Sequence, residues 1–252
     1  MFIDTHCHLD LSPLAADLSL ILQRAAAAGV TGYICPGVAP AGWHGLAITA
    51  ASNSAIHPAF GIHPLQVDEN SCLFLAQLAT HLAGAVAVGE IGLDYYHGNT
   101  NRLLQQQLFR KQLQLAREFS LPVIIHCRKA FADTLAIFSE ESRGELRGVM
   151  HAFSGSAETA CDAVRLGLLI GVAGSVTWEG AVKPQKMLQA VPLEKLVLET
   201  DAPDLSPQKH RGMANEPAFI VEIACKMAEI KGVSLDEVAR ITTINAQRLF
   251  NV

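Results

Sequence analysis

Ala85-Val86-Ala87-Val88-Gly89-Glu90-Ile91-Gly92 is an apolar run interrupted by a single carboxylate. A strand with one wet face alternates apolar and polar residues. A nearly continuous apolar run marks a strand covered on both faces, as in a parallel sheet flanked by helices. Seven further runs share this character: Phe2–His6, Thr31–Cys35, Ile56–Ile62, Pro122–Cys127, Gly148–Phe153, Leu166–Val172 and Leu196–Asp201. Each ends in a polar or Gly/Pro-bearing segment, and a longer helical stretch follows. Strands alternating with helices imply βαβ units. Eight units in 252 residues match a (β/α)8 barrel of the TIM type, which takes about 250 residues. We read residues 1–252 as one such α/β domain. An open doubly wound sheet is the alternative, because periodicity alone does not show closure.

The intervening helices are legible in part. Asn101–Ser120 puts Leu104, Leu108, Leu115 and Phe119 on one stripe, with Arg110, Lys111, Arg117 and Glu118 largely opposite. Gly232 is expected to stop one helix, and Ser234-Leu235-Asp236-Glu237 is a capping box opening the last, which runs toward Phe250. Asp201–Glu216 holds two prolines without periodicity and reads as a long loop after the eighth strand.

Half of the residues are hydrophobic and 17% are charged, enough apolar surface for a large core and too little charge for disorder. The net charge of −5 argues against gripping duplex nucleic acid along its length, which calls for a basic surplus. A nucleic-acid substrate would be held locally or by an end. Cys7, Cys35, Cys72, Cys127, Cys161 and Cys225 are scattered without a C-x-x-C pair, the pattern of free thiols in a reducing compartment. A strand starting at Phe2 leaves no room for a secretory signal, and no apolar run reaches the length of a membrane span. The expected location is cytoplasmic, and nothing calls for an obligatory protein partner.

The strand ends carry the chemistry. The first ends Asp4-Thr5-His6-Cys7-His8, where period two places Asp4, His6 and His8 on one face. Taken alone, this His pair reads equally as solvated or as metal-ligating. Glu90 is a lone carboxylate in an apolar strand, and burial of an unpaired carboxylate costs several kcal/mol unless a cation or firm hydrogen bonds meet it. None of the eight expected strands contains Arg or Lys, which weakens a structural salt bridge as the explanation. The fifth run ends in His126, the sixth reaches His151, and the eighth ends in Asp201 with Glu199 on the same face. In such barrels the C-terminal strand ends form the active site. His6, His8, Glu90, His126, His151 and Asp201 are too many for one tetrahedral ion, but suit two divalent ions about 3.5–4 Å apart bridged by a carboxylate. Glu90, on the middle strand of the set, is the natural bridge. Mixed imidazole and carboxylate ligands fit zinc, manganese, nickel or iron better than calcium, and zinc, manganese, magnesium and nickel are the candidate ions.

Five segments, in this order, resemble the TatD family of metal-dependent hydrolases: Asp4-Thr5-His6-Cys7-His8, Gly61-Ile62-His63-Pro64, Gly89-Glu90-Ile91-Gly92-Leu93-Asp94, His151-Ala152-Phe153-Ser154-Gly155 and Glu199-Thr200-Asp201-Ala202-Pro203. Thr243-x-Asn245-Ala246-x-x-Leu249-Phe250 also fits. The resemblance implies an amidohydrolase-like barrel and a deoxyribonuclease activity. It also implies one ion on His6, His8, Glu90 and Asp201 and a second on Glu90, His126 and His151. Glu90 would stand where many relatives of the wider group bridge with a modified lysine. The sequence departs from the familiar pattern at Ala152, where Cys is usual; period two points that side chain away from His151.

The expected reaction is metal-assisted hydrolysis of a phosphodiester, in DNA ends, single strands or a small phosphoester. Asp201 would both bind metal and accept the proton of the attacking water. His63 is expected to donate a hydrogen bond or shuttle a proton, and not to ligate. Asp94 and Tyr95 could contact substrate or fix their loop. Arg128, His210 and Arg211 are the expected phosphate anchors, and Asp4 and Glu199 are candidates to orient imidazoles. No role is expected for His44, His57, His81 or His97. The same centre would also hydrolyse a small amide, ester or lactone. A binding protein with a decayed site is disfavoured, because all six ligand candidates are present.

Overall fold

The computed structural model describes residues 1–96 and 101–252; His97 lies outside them. Strands β1 (Phe2–Asp4), β2 (Val30–Gly37), β3 (Ile56–Phe60), β4 (Ala87–Asp94), β5 (Val123–Arg128), β6 (Gly148–Met150), β7 (Leu168–Val172) and β8 (Leu196–Leu198) pair in sequence order, each parallel to the next. The sheet closes on itself. Thr5 N donates to Leu198 O at 3.0 Å, Asp201 N to His6 O at 2.8 Å and His8 N to Ala202 O at 2.8 Å, joining the two end strands into a barrel rather than an open sheet. Helices α1 (Leu18–Ala27), α2 (Pro40–Ser52), α3 (Leu75–Leu82), α4 (Arg102–Glu118), α5 (Phe131–Ser142), α6 (Ala157–Arg165), α7 (Val182–Ala190) and α8 (Ile220–Lys231) lie between and after the strands, and α9 (Leu235–Phe250) ends the fold.

Period two divides the strand side chains between two cores. On β5, Val123 and Ile125 join the large core against the helices, while Ile124 joins a smaller cluster inside the barrel with Ile3, Ile34, Ala59, Ala87, Val149 and Val197. The bottom of that cluster is filled by Ala246, Leu249 and Phe250 of α9. This gives the C-terminal motif its physical meaning: it plugs the barrel, and Asn245 Nδ2 anchors the plug on the carbonyls of Leu193 and Leu196. Ser234 caps α9 by accepting Glu237 N at 3.1 Å, and Gly232 ends α8 at φ 67°.

Strands β1, β6 and β8 stop two or three residues short of the apolar runs. The chain there leaves the ladder to present His6, His151 and Asp201, with left-handed backbone at Ala152 (φ 41°) and Asp201 (φ 59°). Conversely β4 extends to Asp94. Its buried partner α4 does not use the expected stripe: Phe119 is exposed and Leu104 and Leu115 are half-buried, whereas Gln105, Leu108, Phe109, Gln112, Leu113 and Ala116 face inward. The two glutamines belong inside because each satisfies backbone that no strand pairs. Gln112 accepts from Ile62 N at 2.7 Å and donates to Ile62 O at 3.2 Å; Gln105 accepts from Asp94 N at 2.9 Å and donates to Pro64 O at 3.1 Å. All six cysteines are free. No helix among the described residues is long and apolar enough to cross a membrane.

Candidate metal centre

Glu90 is the hub. One extra residue enters β4 between Val88 and Ile91 relative to β5, and a bulge of this kind re-aims a side chain. Two residues on, Gly92 (φ 140°) lets β4 hug β5, since a Cβ there would meet His126 O at 2.0 Å. The Glu90 carboxylate is buried and its two oxygens face different groups. Oε2 lies 3.3 Å from His6 Nε2 and 3.9 Å from His8 Nε2. Oε1 lies 2.9 Å from His126 Nδ1, 3.2 Å from His151 Nε2 and 3.3 Å from His63 Nε2. Asp201 Oδ1 completes the first group at 3.7 Å from His6 Nε2 and 3.8 Å from His8 Nε2. All six expected ligands therefore converge at the C-terminal mouth of the barrel, and His63 joins them.

The donor chemistry fits a cation. His8 Nδ1 faces the Pro36 carbonyl at 3.2 Å, and a carbonyl only accepts, so that nitrogen carries the proton and Nε2 presents a lone pair. His6 Nε2 lies 3.3 Å away, and His6 Nδ1 has no hydrogen-bond partner. The separations of the His6 and His8 Nε2 atoms from each other and from Glu90 Oε2 and Asp201 Oδ1, 3.3–3.9 Å, are too long for firm hydrogen bonds and suit shared ligation at about 2.0–2.2 Å. These buried His and Glu side chains could bind metal; His6, His8 and Glu90 form one compact triad, and His63, Glu90 and His126 another. His63 differs in one respect. Its Nδ1 accepts from Leu65 N at 3.1 Å, so its proton sits on Nε2.

Charge is divided across the centre. Burial would raise the Glu90 carboxyl, but His63, His151 and His6 outweigh it and hold it well below the carboxylate range. Burial, with His151 nearby, pushes His6 well down, and burial also lowers His8. Burial opposes protonation of His126 and His151 too, yet their carboxylate neighbours win: Asp94 and Glu90 raise His126, and Glu90 and Asp201 hold His151 well above its ordinary value. Asp201 is pushed up to about 8, by burial first and then by Glu90 against the opposing pull of His151.

The supporting residues divide differently from the sequence expectation. Asp94 is fully buried; Oδ2 meets His126 Nε2 at 3.0 Å and Oδ1 accepts from Tyr96 N, so it orients an imidazole. Tyr95 ties its loop down, donating to Asp133 Oδ2 at 2.8 Å and accepting from Gln106 Nε2 at 2.7 Å. Asp4 accepts from Thr200 N, Thr200 Oγ1 and His6 N: it fastens the barrel seam and touches no imidazole. Glu199 accepts from Ala152 N and stands 3.4 Å from His151 Nδ1, in space that exists because residue 171 is glycine. His210 turns to Glu222 at 2.8 Å and stacks on Phe219, away from the centre. Arg128 lies exposed over the Tyr96 ring at 3.7 Å, and Arg211 over Trp178 at 4.1 Å. Of the remaining histidines, His81 packs against Trp43 and Phe60. Trp178, unnoticed in the sequence, is fixed by Ser206 O and walls a cavity of about 370 Å3 with Arg128, His151 and Asp201. Its signal was weak: one aromatic in the segment after the seventh strand.

Comparison with known proteins agrees with this geometry. The family model for TatD related DNase matches residues 3–251. The uncharacterized metal-dependent hydrolase YabD of Bacillus subtilis is 35% identical, covering all of both chains. YcfH of Escherichia coli, also an uncharacterized metal-dependent hydrolase, is 38% identical over 99% of this chain and 96% of its own. The crystal structure of YjjV, a TatD homolog from Escherichia coli, superposes with a TM-score of 0.95 at 36% identity, covering 100% of this chain and 98% of that one. Barrel, ligand cluster and whole-length similarity concur, and this chain belongs to the TatD family of metal-dependent hydrolases.

Proposed function

We propose that the protein is a deoxyribonuclease that hydrolyses phosphodiester bonds at DNA ends or in single strands. The observation that carries this reading is the divided Glu90 carboxylate, each oxygen facing its own imidazole group. His6, His8, Glu90 and Asp201 would hold one divalent ion and Glu90, His126 and His151 the other, with zinc, manganese, magnesium or nickel as candidates. Bound ions of this kind lower the pKa of water and offset charge on phosphoryl oxygens.

The chain's own residues supply the rest. Asp201, at the wall of the cavity beside His151, would accept the proton of the attacking water once the ion has displaced its own. His63 holds its Nε2–H toward the reacting group, because Leu65 N occupies the other nitrogen. Arg128 at the cavity mouth and Arg211 on Trp178 supply planar cations for phosphate oxygens. The net charge of −5 favours short or end-held substrates over long duplex. We place the protein in the cytoplasm, consistent with its free thiols.

The test incubates metal-loaded protein with labelled single-stranded DNA and with a panel of small amides, esters and lactones. DNA cleavage that disappears in Glu90→Ala supports the nuclease. Ester, amide or lactone turnover with inert DNA replaces it with a small-substrate hydrolase.

A further inference from the structure

A second hollow of about 480 Å3 adjoins the metal-centre cavity and shares Arg128 and Ser154 with it. Lys129 and Lys183 line it with Tyr96 and Phe131. Three cations therefore gather on one side of the barrel mouth in a chain whose net charge is −5. Among the described residues, neither lysine has a carboxylate within ion-pair distance. Glu158, on the first turn of α6, is lowered from its ordinary carboxyl range by Ser156 first and also by Lys186. Arg128 Cζ lies over the Tyr96 ring at 3.7 Å, a contact that places a planar cation able to donate several hydrogen bonds at the border of the two cavities. Lys129 adopts left-handed backbone at φ 59°. That conformation costs a non-glycine residue of order 1 kcal/mol, and such strain persists where the surroundings or a function hold it. Phe131, tilted 57° against Phe153 at 5.3 Å, lines the hollow beside the cations.

We propose that this hollow is a second phosphate-binding subsite, which takes the nucleotide flanking the scissile bond of a single-stranded polynucleotide. Lys129 and Lys183 contact that nucleotide's phosphate, Arg128 stands between the two phosphates, and Phe131 offers a face to the base. A strand whose reacting phosphate lies at Glu90 continues into the hollow across Arg128 and Ser154. The inference rests on the reading of the centre as a phosphodiesterase, and it adds a preference for chains over isolated esters.

The test measures fluorescence anisotropy of a labelled single-stranded DNA with hydrolysis-resistant phosphorothioate linkages, bound to manganese-loaded protein across a salt series. Lys129→Ala/Lys183→Ala is expected to weaken binding about tenfold and to flatten the log K against log salt slope by about 0.7, the change for one neutralised phosphate lost on a single strand. Lys129→Arg/Lys183→Arg should restore both. Metal content and melting temperature equal to the parent protein exclude misfolding. Unchanged affinity and slope in the alanine variant overturn the subsite. Because binding is read apart from turnover, a parent protein that cleaves only non-phosphate esters defeats the nuclease reading, while the anisotropy series decides the subsite independently.

Discussion

The Nδ1 atom of His63 accepts the backbone N–H of Leu65 at 3.1 Å, and this bond fixes the ring's tautomer. A neutral imidazole has one protonated and one bare nitrogen, so Nε2, 3.3 Å from Glu90 Oε1, is a donor. His63→Ala should therefore keep the full metal content while kcat falls on the order of 100- to 10,000-fold, the range for a positioned proton donor. Loss of an ion in elemental analysis of the purified variant would instead make His63 a ligand.

Glu90 should behave differently. Its removal deprives both imidazole groups of their shared anion, so Glu90→Ala should lose metal together with activity. Glu90→Asp should not rescue, because a side chain shorter by one methylene cannot keep contacts of 2.9 Å and 3.3 Å on opposite sides. Elemental analysis beside turnover decides this; an aspartate variant with full metal and near-normal kcat would refute the bridge.

Metal binding should release protons. In the metal-free protein His126 and His151 hold protons more tightly than ordinary imidazoles, and Asp201, pushed up to about 8, is still largely protonated at pH 7. Ions compete with these protons, so affinity rises with pH and levels off once all three groups have titrated. Calorimetry at pH 7 in buffers of contrasting ionisation enthalpy should give different apparent binding heats, with at least about one proton released per protein. Identical heats would contradict the charge distribution.

Gln112 holds both polar groups of Ile62, immediately before His63. Gln112→Met fills similar space without those bonds and leaves a buried N–H and C=O unmet. It should destabilise the fold by about 2–4 kcal/mol, visible as a lower urea midpoint, and should depress kcat more than metal content. A variant as stable as the parent would show that water replaces the clamp.

The legible part of the molecule was what depends on repetition and residue type. Eight buried runs announced a parallel sheet, and the polar residues closing them announced the centre, because an imidazole or carboxylate at the end of an apolar strand needs a partner. Closure was not legible: it rests on backbone pairing between Thr5 and Leu198, residues distant in sequence. Nor were the tasks of Asp94 and Tyr95, since spacing cannot tell whether a loop carboxylate or hydroxyl finds substrate or a neighbouring side chain. The buried face of α4 was misjudged for a related reason. Gln105 and Gln112 look solvent-facing by type, although their spacing of seven places them on one face with Leu108 and Phe109.

The seam between β8 and β1 gives the ions a place in the order of folding. His6 and His8 come from the earliest part of the chain and Asp201 from beyond the last strand, and they meet only when Thr5, His6 and His8 zip onto Leu198, Asp201 and Ala202. A nascent chain that has made seven strands owns most of the donors but not the vessel. A cation shared by His6, His8 and Asp201 would thus be captured only once the ring is complete, and its presence would certify that the final strand has arrived.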